Sequence, residues 1–503
     1  MNEELAGATL LAFGSSLPDL VANLMPIRAE SAYFDGTIGD AVVIVLLCGG
    51  LICYMKPFKM DEYVIVRELL FLLLSVELLR FLIFDGDSIS HTDGIILLSV
   101  YLIYLIIIIA DLKLLRFTIR QLRRQIANLE RQPISTERDR KLRKKISNLK
   151  NLIQHEFMHI RRKSLRGTGE SSSNIQMIGA PFAHSKPEPV DYEATRTILH
   201  SKKNAKNLFL WGDFLDSLNP IDATDWKLAG PFQRVFIVIR SPMLLIVTIF
   251  VPVVDYERYK HGWSKLLNCT QIITNPFILI TAIHSKFVSV YSSWYVDFNI
   301  NYAKWSLLLS VPLALFTFFH ARTDMPPPYH ILFIVLSSTS SLVIIVFCTG
   351  EIEVLISIVG IVFNLSEHFL SITFGSVGNA VINLMASFAM TMQGYERMAF
   401  TAVFAGPFFN IVVSMGITFL FNENVRLKGA STWLNGEHGD NCYIFILITI
   451  VSTLWWCLTF NFIARRSSAI FYWILFVLFI VYAIAVEWDL VHDMTKDVMF
   501  PPK

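Results

Sequence analysis

The chain has 503 residues, of which 54% are hydrophobic and only 17% are charged. Soluble domains usually contain about 25% charged residues, and the apolar residues here are gathered into long runs, which speaks against a soluble protein. The net charge of +2 leaves no overall basic surplus. The six cysteines lack the spacing of a disulfide framework or a zinc site. Neither a His-Glu-x-x-His motif nor a phosphate-binding loop occurs, so a metalloprotease and an ATP-driven pump are not expected.

Long apolar runs recur along the chain, and a run of about 20 residues can cross a bilayer as a helix. Lipid offers no partner for an unpaired backbone amide, so each span must be helical. We therefore predict an all-α multi-pass membrane protein with about 12–13 transmembrane helices. The candidate spans are 5–26, 37–55, 63–84, 94–115, 233–253, 267–288, 304–320, 330–349, 352–373, 375–393, 397–421, 441–463 and 468–488.

The polar stretch 116–231 differs from the rest of the chain. Between Arg116 and Gly167 there are sixteen lysines and arginines but only four acidic residues. Apolar residues recur there at near-helical spacing, which predicts a basic amphipathic helix or a short coiled coil. This helix either is solvated and marks the inner side of the membrane, or binds anionic lipid or a regulatory protein at residues 116–167. Residues 167–190 are predicted to be a disordered linker.

The distribution of basic residues predicts the topology. The positive-inside rule places the basic loop on the cytosolic or matrix side, and counting back four spans places the N-terminus there too. We predict a first membrane half at 1–115, a hydrophilic loop at 116–231 and a second membrane half at 232–503. Because the chain begins almost inside a span, we expect a preceding first span to be missing.

The segment between residues 6 and 24, AGATLLAFGSSLPDLVANL, contains polar groups inside a predicted span. An ionisable residue within a membrane is costly and suggests a function, and Asp19 is the clearest case. Pro18 removes a backbone hydrogen bond, so we expect it to break the helix and free carbonyl oxygens. Hard cations such as Na⁺ and Ca²⁺ prefer oxygen ligands of this kind. The candidate ion-binding residues of this segment are Ser15, Ser16, Asp19 and Asn23.

A second polar segment lies between residues 370 and 410, and its candidate ion-binding residues are Ser376, Asn379 and Asn383. The two asparagines are four residues apart and would face the same way on a helix. Each segment alone would be explained by close helix packing or by hydrogen bonds between helices. Two such segments in corresponding positions of two halves, however, are typical of a transporter site.

At these residues the sequence resembles the calcium/cation antiporter superfamily, the sodium/calcium exchangers. AGATLLAFGSSLPD is similar to the first α-repeat of the cation/calcium exchanger branch, which includes the mitochondrial-type sodium/calcium exchanger. TFGSVGN and QGYERMAFTAVFAGPFFN are similar to the second α-repeat, which we place at about 365–421. The resemblance extends over nearly the whole chain and implies two inverted repeats that flank a cytosolic or matrix loop.

The resemblance also implies roles for single residues. Asp19 matches the acidic residue of the first repeat, Pro18 its helix-breaking proline, and Ser376 an ion-ligating serine of the second repeat. The expected metal-contacting residues are therefore Asp19, Ser376 and Asn379. Asn379, however, stands where the family usually has an aspartate, so the site loses a formal charge. Asp40 is an acid that the family pattern does not require, and it would restore that charge if it faces the site.

Three functional hypotheses follow. The first is a cation antiporter that exchanges Na⁺, Li⁺ or H⁺ for Ca²⁺ by alternating access, with no enzymatic activity and no cofactor. The second is an exchanger of monovalent cations or protons that has lost Ca²⁺ selectivity, and the third is a transport-inactive homologue with a structural or regulatory role. The expected partners are the transported cations and the lipid bilayer, without nucleic acid. The mitochondrial inner membrane, another endomembrane or the plasma membrane would each fit.

Overall fold

The structure is a computed structural model, and it describes residues 7–24, 33–84, 89–130, 206–207, 209–221, 226–227, 229–254, 259–284, 300–421 and 438–492. These residues form two compact units, which divide at residue 353. The first unit contains the described residues up to 130 and from 354 onward. The second contains the described residues from 206 to 353.

The first unit is a helical bundle that contains both polar segments. In its N-terminal part, a π-helical turn at Gly7–Leu11 leads into α1, and its other helices are α1 (Ala12–Leu24), α2 (Tyr33–Met55), α3 (Glu62–Phe84) and α4 (His91–Glu130). The second unit contains α5 (Leu210–Leu218), α6 (Pro231–Phe250), α7 (Lys265–Ile283), α8 (Ile300–His320) and the start of α9 (Phe333–Phe363).

The C-terminal part of the first unit contains further irregular helices. Its elements are α10 (Glu367–Leu370), a π-helical turn at Ser371–Gly375, α11 (Ser376–Gln393), α12 (Glu396–Phe409), a π-helical turn at Asn410–Ser414, α13 (Met415–Phe421), α14 (Gly439–Thr459) and α15 (Arg466–Glu487). π-helical turns are rare and are frequent at functional sites. Both polar segments of the sequence contain one.

Helices α2 and α12 form the centre of the first unit. Phe34, Ile38 and Leu46 of α2 are fully buried, as are Phe400 and Phe404 of α12. A helix that is apolar on all sides lies inside a bundle. Because α2 packs against both α11 and α12, polar groups on these three helices are held inside the unit.

A two-stranded antiparallel ribbon closes one end of the first unit. Strand β1 (Phe58–Lys59) follows α2, and strand β2 (Ile463–Ala464) precedes α15. The register pairs Phe58 with Ala464 and Lys59 with Ile463. The ribbon is the only strand pairing among the described residues, so the architecture is the expected all-α one.

The second unit has a smaller core. Its five buried residues are Trp263, Ile272, Ala314, Ala321 and Phe333. The Trp263 ring contacts the rings of His330 and Phe333. Ser340 of α9 donates a hydrogen bond of 2.8 Å to Asn275 Oδ1 of α7. Such polar contacts between apolar helices are characteristic of membrane bundles.

Ten helices among the described residues are long and apolar enough to cross a membrane. Helix α4 exposes Leu102, Ile103, Ile106 and Ile109 on its outer face. Exposure of an apolar face of this length to water is unfavourable, whereas contact with lipid is not. The protein is therefore a multi-pass membrane protein, as predicted.

Two predicted boundaries between spans are wrong. The sequence predicted separate spans at 330–349, 352–373 and 375–393, but α9 is continuous over Phe333–Phe363, and the helical stretch Glu367–Gln393 forms a single candidate span. The break lies at residues 364–366, where Asn364 has a left-handed backbone (φ 53°) and the Ser366 hydroxyl accepts a hydrogen bond from the Phe369 amide. A left-handed asparagine ends a helix and a serine N-cap begins the next one, and these local signals outweigh the apolar run.

The basic stretch is described only in its first part. Helix α4 continues past the predicted end of its span as far as Glu130. The remaining basic residues and the predicted linker at 167–190 lie outside the described residues.

Helices α4 and α13 approach each other closely at a pair of glycines. A Cβ added at Gly94 would lie 2.7 Å from the carbonyl oxygen of Gly416, and small residues allow such contacts between membrane helices. Gly94→Ala is expected to force the helices apart and to destabilise the fold by about 1–3 kcal/mol. The measurement is the midpoint of thermal unfolding in detergent. Gly212→Ala in α5 meets nothing within 4 Å and serves as the control, so an equal effect of both changes would contradict the interpretation.

Candidate functional site

Helix α1 carries the polar residues of the first segment, and Pro18 lies inside it. The helix continues to Leu24, so the predicted break at Pro18 is wrong. A proline in a membrane helix is tolerated where neighbouring groups compensate for the lost amide. Ser15 donates to the Ala12 carbonyl of its own helix at 3.1 Å, and Ser16 donates to the Gly406 carbonyl of α12 at 3.1 Å. The irregular backbone is instead the π-helical turn before α1.

The carboxylate of Asp19 meets an amide of the second segment. Asn410 Nδ2 donates to Asp19 Oδ2 at 3.1 Å. Asn410 begins the π-helical turn after α12 and is only 4% exposed. Its Oδ1 is buried and has no hydrogen-bond partner among the described residues. A buried acceptor of this kind is costly, and a cation next to Asp19 would satisfy it.

A second pair of an amide and a carboxylate joins the second polar segment to α2. Asn379 Nδ2 of α11 donates to Asp40 Oδ2 of α2 at 2.8 Å. Both residues are half-buried. Asp40 therefore faces the second polar segment and is not a boundary residue turned away from it.

Glycines in α2 allow this close contact. A Cβ at Gly39 would lie 3.1 Å from Ser376 Oγ and 3.3 Å from the Ile372 backbone, and a Cβ at Gly36 would lie 2.9 Å from Ser371 Oγ. The backbone of α2 therefore approaches the second π-helical turn directly before Asp40. This approach positions the Asp40 carboxylate against α11.

The serine oxygens keep lone pairs available for a ligand. Ser376 is fully buried and donates its hydroxyl proton to the Ser371 carbonyl at 3.1 Å. Ser16 donates to another helix in the same way. A hydroxyl that donates its proton still has two acceptor lone pairs, so both oxygens can contact a cation.

The other predicted residues differ in their contacts. Asn23 is buried and donates to Ser414 Oγ at 3.1 Å, one turn beyond the Asp19–Asn410 pair. Asn383 is half-buried on α11 and makes no side-chain hydrogen bond to the described residues. Asn410 and Ser414 were not singled out from the sequence, although the run Gly-Pro-Phe-Phe-Asn placed an amide in mid-span just after a proline.

Carboxylates, amides and hydroxyls inside a bundle of membrane helices define a transport protein for cations. The profile of the family described as sodium/calcium exchanger protein matches residues 1–110 and 332–488. The chain therefore belongs to this family of cation antiporters, and the predicted resemblance is confirmed. The match includes both polar segments.

Individual relatives share less than a third of their residues with this chain. A mitochondrial sodium/calcium exchanger protein of Mus musculus is 25% identical over 463 residues, which cover 90% of this chain and 70% of the relative. The protein of the same name from Homo sapiens is 24% identical and covers 98% of this chain and 76% of the relative. A putative sodium/calcium exchanger 6 of Caenorhabditis elegans is 22% identical, over 95% of this chain and 75% of the relative. No solved structure matches the chain.

Proposed function

We propose that the protein exchanges Na⁺, or Li⁺ or H⁺, for Ca²⁺ across a membrane by alternating access. The observation that carries this proposal is the Asp19–Asn410 pair, which joins the two polar segments through a carboxylate beside an amide oxygen that has no hydrogen-bond partner in the described part of the chain. The relatives named as mitochondrial exchangers support a mitochondrial membrane as its location.

The proposed chemistry is competition of cations for the same oxygens. Asp19 supplies negative charge, and Asn410 Oδ1 and the Ser16 hydroxyl supply neutral oxygens beside it. Na⁺ and Ca²⁺ both prefer such ligands and are similar in size, so each displaces the other. The cost of an empty intramembrane carboxylate favours movement of the protein between its two orientations only with a cation or proton bound.

A second candidate function is exchange of monovalent cations or protons without Ca²⁺. The observation that favours it is the amide of Asn379, because calcium affinity follows the number of charged ligands. In this case Na⁺, Li⁺ and H⁺ gradients would drive one another, and Ca²⁺ would neither be transported nor compete.

The proposal is tested with purified protein in liposomes. An outward-directed Na⁺ gradient is expected to drive uptake of radioactive calcium, and Asp19→Asn is expected to reduce the flux to that of protein-free liposomes, because the cation loses its charged ligand. Asp213→Asn removes a carboxylate of α5 that pairs with Lys260 at 2.8 Å and is expected to leave the flux unchanged.

Two outcomes would contradict the proposal. Flux driven only between Na⁺, Li⁺ and H⁺ would favour the second candidate function. Folded wild-type protein without flux under any gradient would leave a transport-inactive homologue.

A further inference from the structure

The two polar segments share one spacing of polar residues. In α1, Ser16 is followed by Asp19 and Asn23, and in α11, Ser376 is followed by Asn379 and Asn383. Both sets follow the pattern Ser-x-x-Asp/Asn-x-x-x-Asn. Asp19 of the first repeat and Asn379 of the second therefore occupy equivalent positions, although one is an acid and the other an amide.

The partners of these two positions are also equivalent. Asp19 of α1 contacts Asn410, at the end of the second helix of the other repeat, and Asn379 of α11 contacts Asp40, on the second helix of the first repeat. Each pair therefore joins the first helix of one repeat to the second helix of the other. Each pair also contains one carboxylate and one amide. Only the helix that carries the acid differs.

We propose that Asp40 is the second ion-binding carboxylate of the transport site, and that acid and amide have exchanged places between Asp40 and Asn379. This inference rests on the proposed function and specifies its site. The site then contains two carboxylates, one in each pair. Two negative charges balance one divalent cation, or two monovalent ones, inside the membrane, where an unbalanced charge is costly.

The packing around Asp40 supports a binding role. Gly39 brings the α2 backbone so close to Ser376 Oγ that a Cβ would lie 3.1 Å from it, and Ser376 is fully buried. Asp40 therefore directly follows the residue whose backbone packs against this buried hydroxyl oxygen, and its own carboxylate accepts from Asn379, one turn beyond Ser376 on α11. This set of a carboxylate, an amide and a serine oxygen repeats the set formed by Asp19, Asn410 and Ser16.

The second carboxylate changes the interpretation of selectivity. An amide at position 379 alone would leave one charge at the site and would favour monovalent cations. With Asp40 in the same pair, the charge is conserved and a divalent cation remains a suitable substrate. The substrate class inferred for this site is therefore a divalent cation in exchange for monovalent cations.

The test exchanges the two residues back. The variants are Asp40→Asn, Asn379→Asp and the double variant D40N/N379D, with Asp213→Asn as the matched control outside the site. The readouts are Na⁺-driven calcium uptake in liposomes and, independently of transport, the rise in melting temperature that CaCl₂ or NaCl causes in the purified protein.

Asp40→Asn is expected to lower apparent calcium affinity by about tenfold or more, because one charged ligand is lost. The double variant is expected to recover affinity and flux to within a few-fold of wild type. Asn379→Asp alone adds a third carboxylate and is expected to raise calcium affinity and to slow exchange.

The outcomes separate this inference from the proposed function. If Asp40→Asn binds and transports like wild type, or if the folded double variant does not recover, the exchange of acid and amide is wrong while the antiporter function stands. A different result is that wild type shows no flux while calcium raises the melting temperature of wild type and of the double variant but not of Asp40→Asn. In that case the two-carboxylate site is supported and the proposed antiporter function is wrong. Absence of both flux and cation-dependent stabilisation in wild type would overturn both.

Discussion

Replacing Asn410 with leucine is expected to lower cation flux by about two orders of magnitude. The change removes the hydrogen bond to Asp19 Oδ2, and a hydrogen bond to a charged group contributes about 1.5–3 kcal/mol. It also removes Oδ1, the buried oxygen without a partner among the described residues, as a cation ligand. Leucine has the same number of side-chain heavy atoms and the same branching at Cγ as asparagine but a larger volume, so the melting temperature in detergent is measured to confirm that this 4% exposed position still packs. The measurement is the initial rate of Na⁺-driven calcium uptake at saturating and limiting calcium.

The companion change Asn410→Asp distinguishes a role of Asn410 in cation binding from a role in helix packing alone. It places a second carboxylate beside Asp19, and two like charges in contact repel unless a cation lies between them. We expect this variant to melt at a lower temperature than wild type in the absence of cations and to be stabilised more strongly by calcium. Asn441→Asp, at a buried asparagine near the start of α14, is the control. Equal calcium effects in both variants, or normal flux in Asn410→Leu, would show that Asn410 is not at the ion site.

The sequence predicted the class of fold because its strongest signals are local. Apolar runs are visible directly in the sequence, and a run of about 20 apolar residues crosses lipid as a helix. The separation of helices was less predictable, since α9 and α10 divide at Asn364 and Ser366, where two local capping signals interrupt an otherwise apolar stretch. Pro18 was misjudged for the converse reason, because a proline that would end a helix in water is tolerated within a membrane bundle, and the helix continues through it.

The candidate site was predictable only in part, since its residues come from helices far apart in the sequence. Asp19 and Asn379 stood out as polar residues within spans. Asn410 did not stand out, and Asp40 stood out only as an acid whose orientation was unknown. The role of each depends on a contact with a residue 391 or 339 positions away in the sequence. The equivalence of the two acid–amide pairs required the contacts as well as the repeat.

A buried charge network outside the site is expected to dominate the stability of α3 and α4. Arg67 Nη2 lies 2.7 Å from Glu68 Oε1 and Nη1 lies 2.9 Å from Asp111 Oδ2. Glu68 is fully buried and also accepts a hydrogen bond of 2.7 Å from the Tyr104 hydroxyl. Arg67→Leu leaves the Glu68 carboxylate in the bundle without its cation, which is expected to destabilise the protein by about 3–5 kcal/mol. The measurement is the melting temperature in detergent, compared with wild type.

The double variant R67L/E68L shows whether the loss of stability comes from the unpaired carboxylate of Glu68. Replacing both members of a buried ion pair with apolar residues is often nearly neutral, so the double variant is expected to recover most of the lost stability. Lys59→Leu breaks the exposed pair with Glu62, whose side chains are more than half exposed, and is expected to change the melting temperature little. The Tyr104 ring packs against Phe408 at 4.7 Å, two residues before Asn410, so the network also supports the helix that precedes the candidate ion ligand Asn410. If Arg67→Leu melts like Lys59→Leu, the ion pairs of Arg67 do not stabilise the contact between α3 and α4.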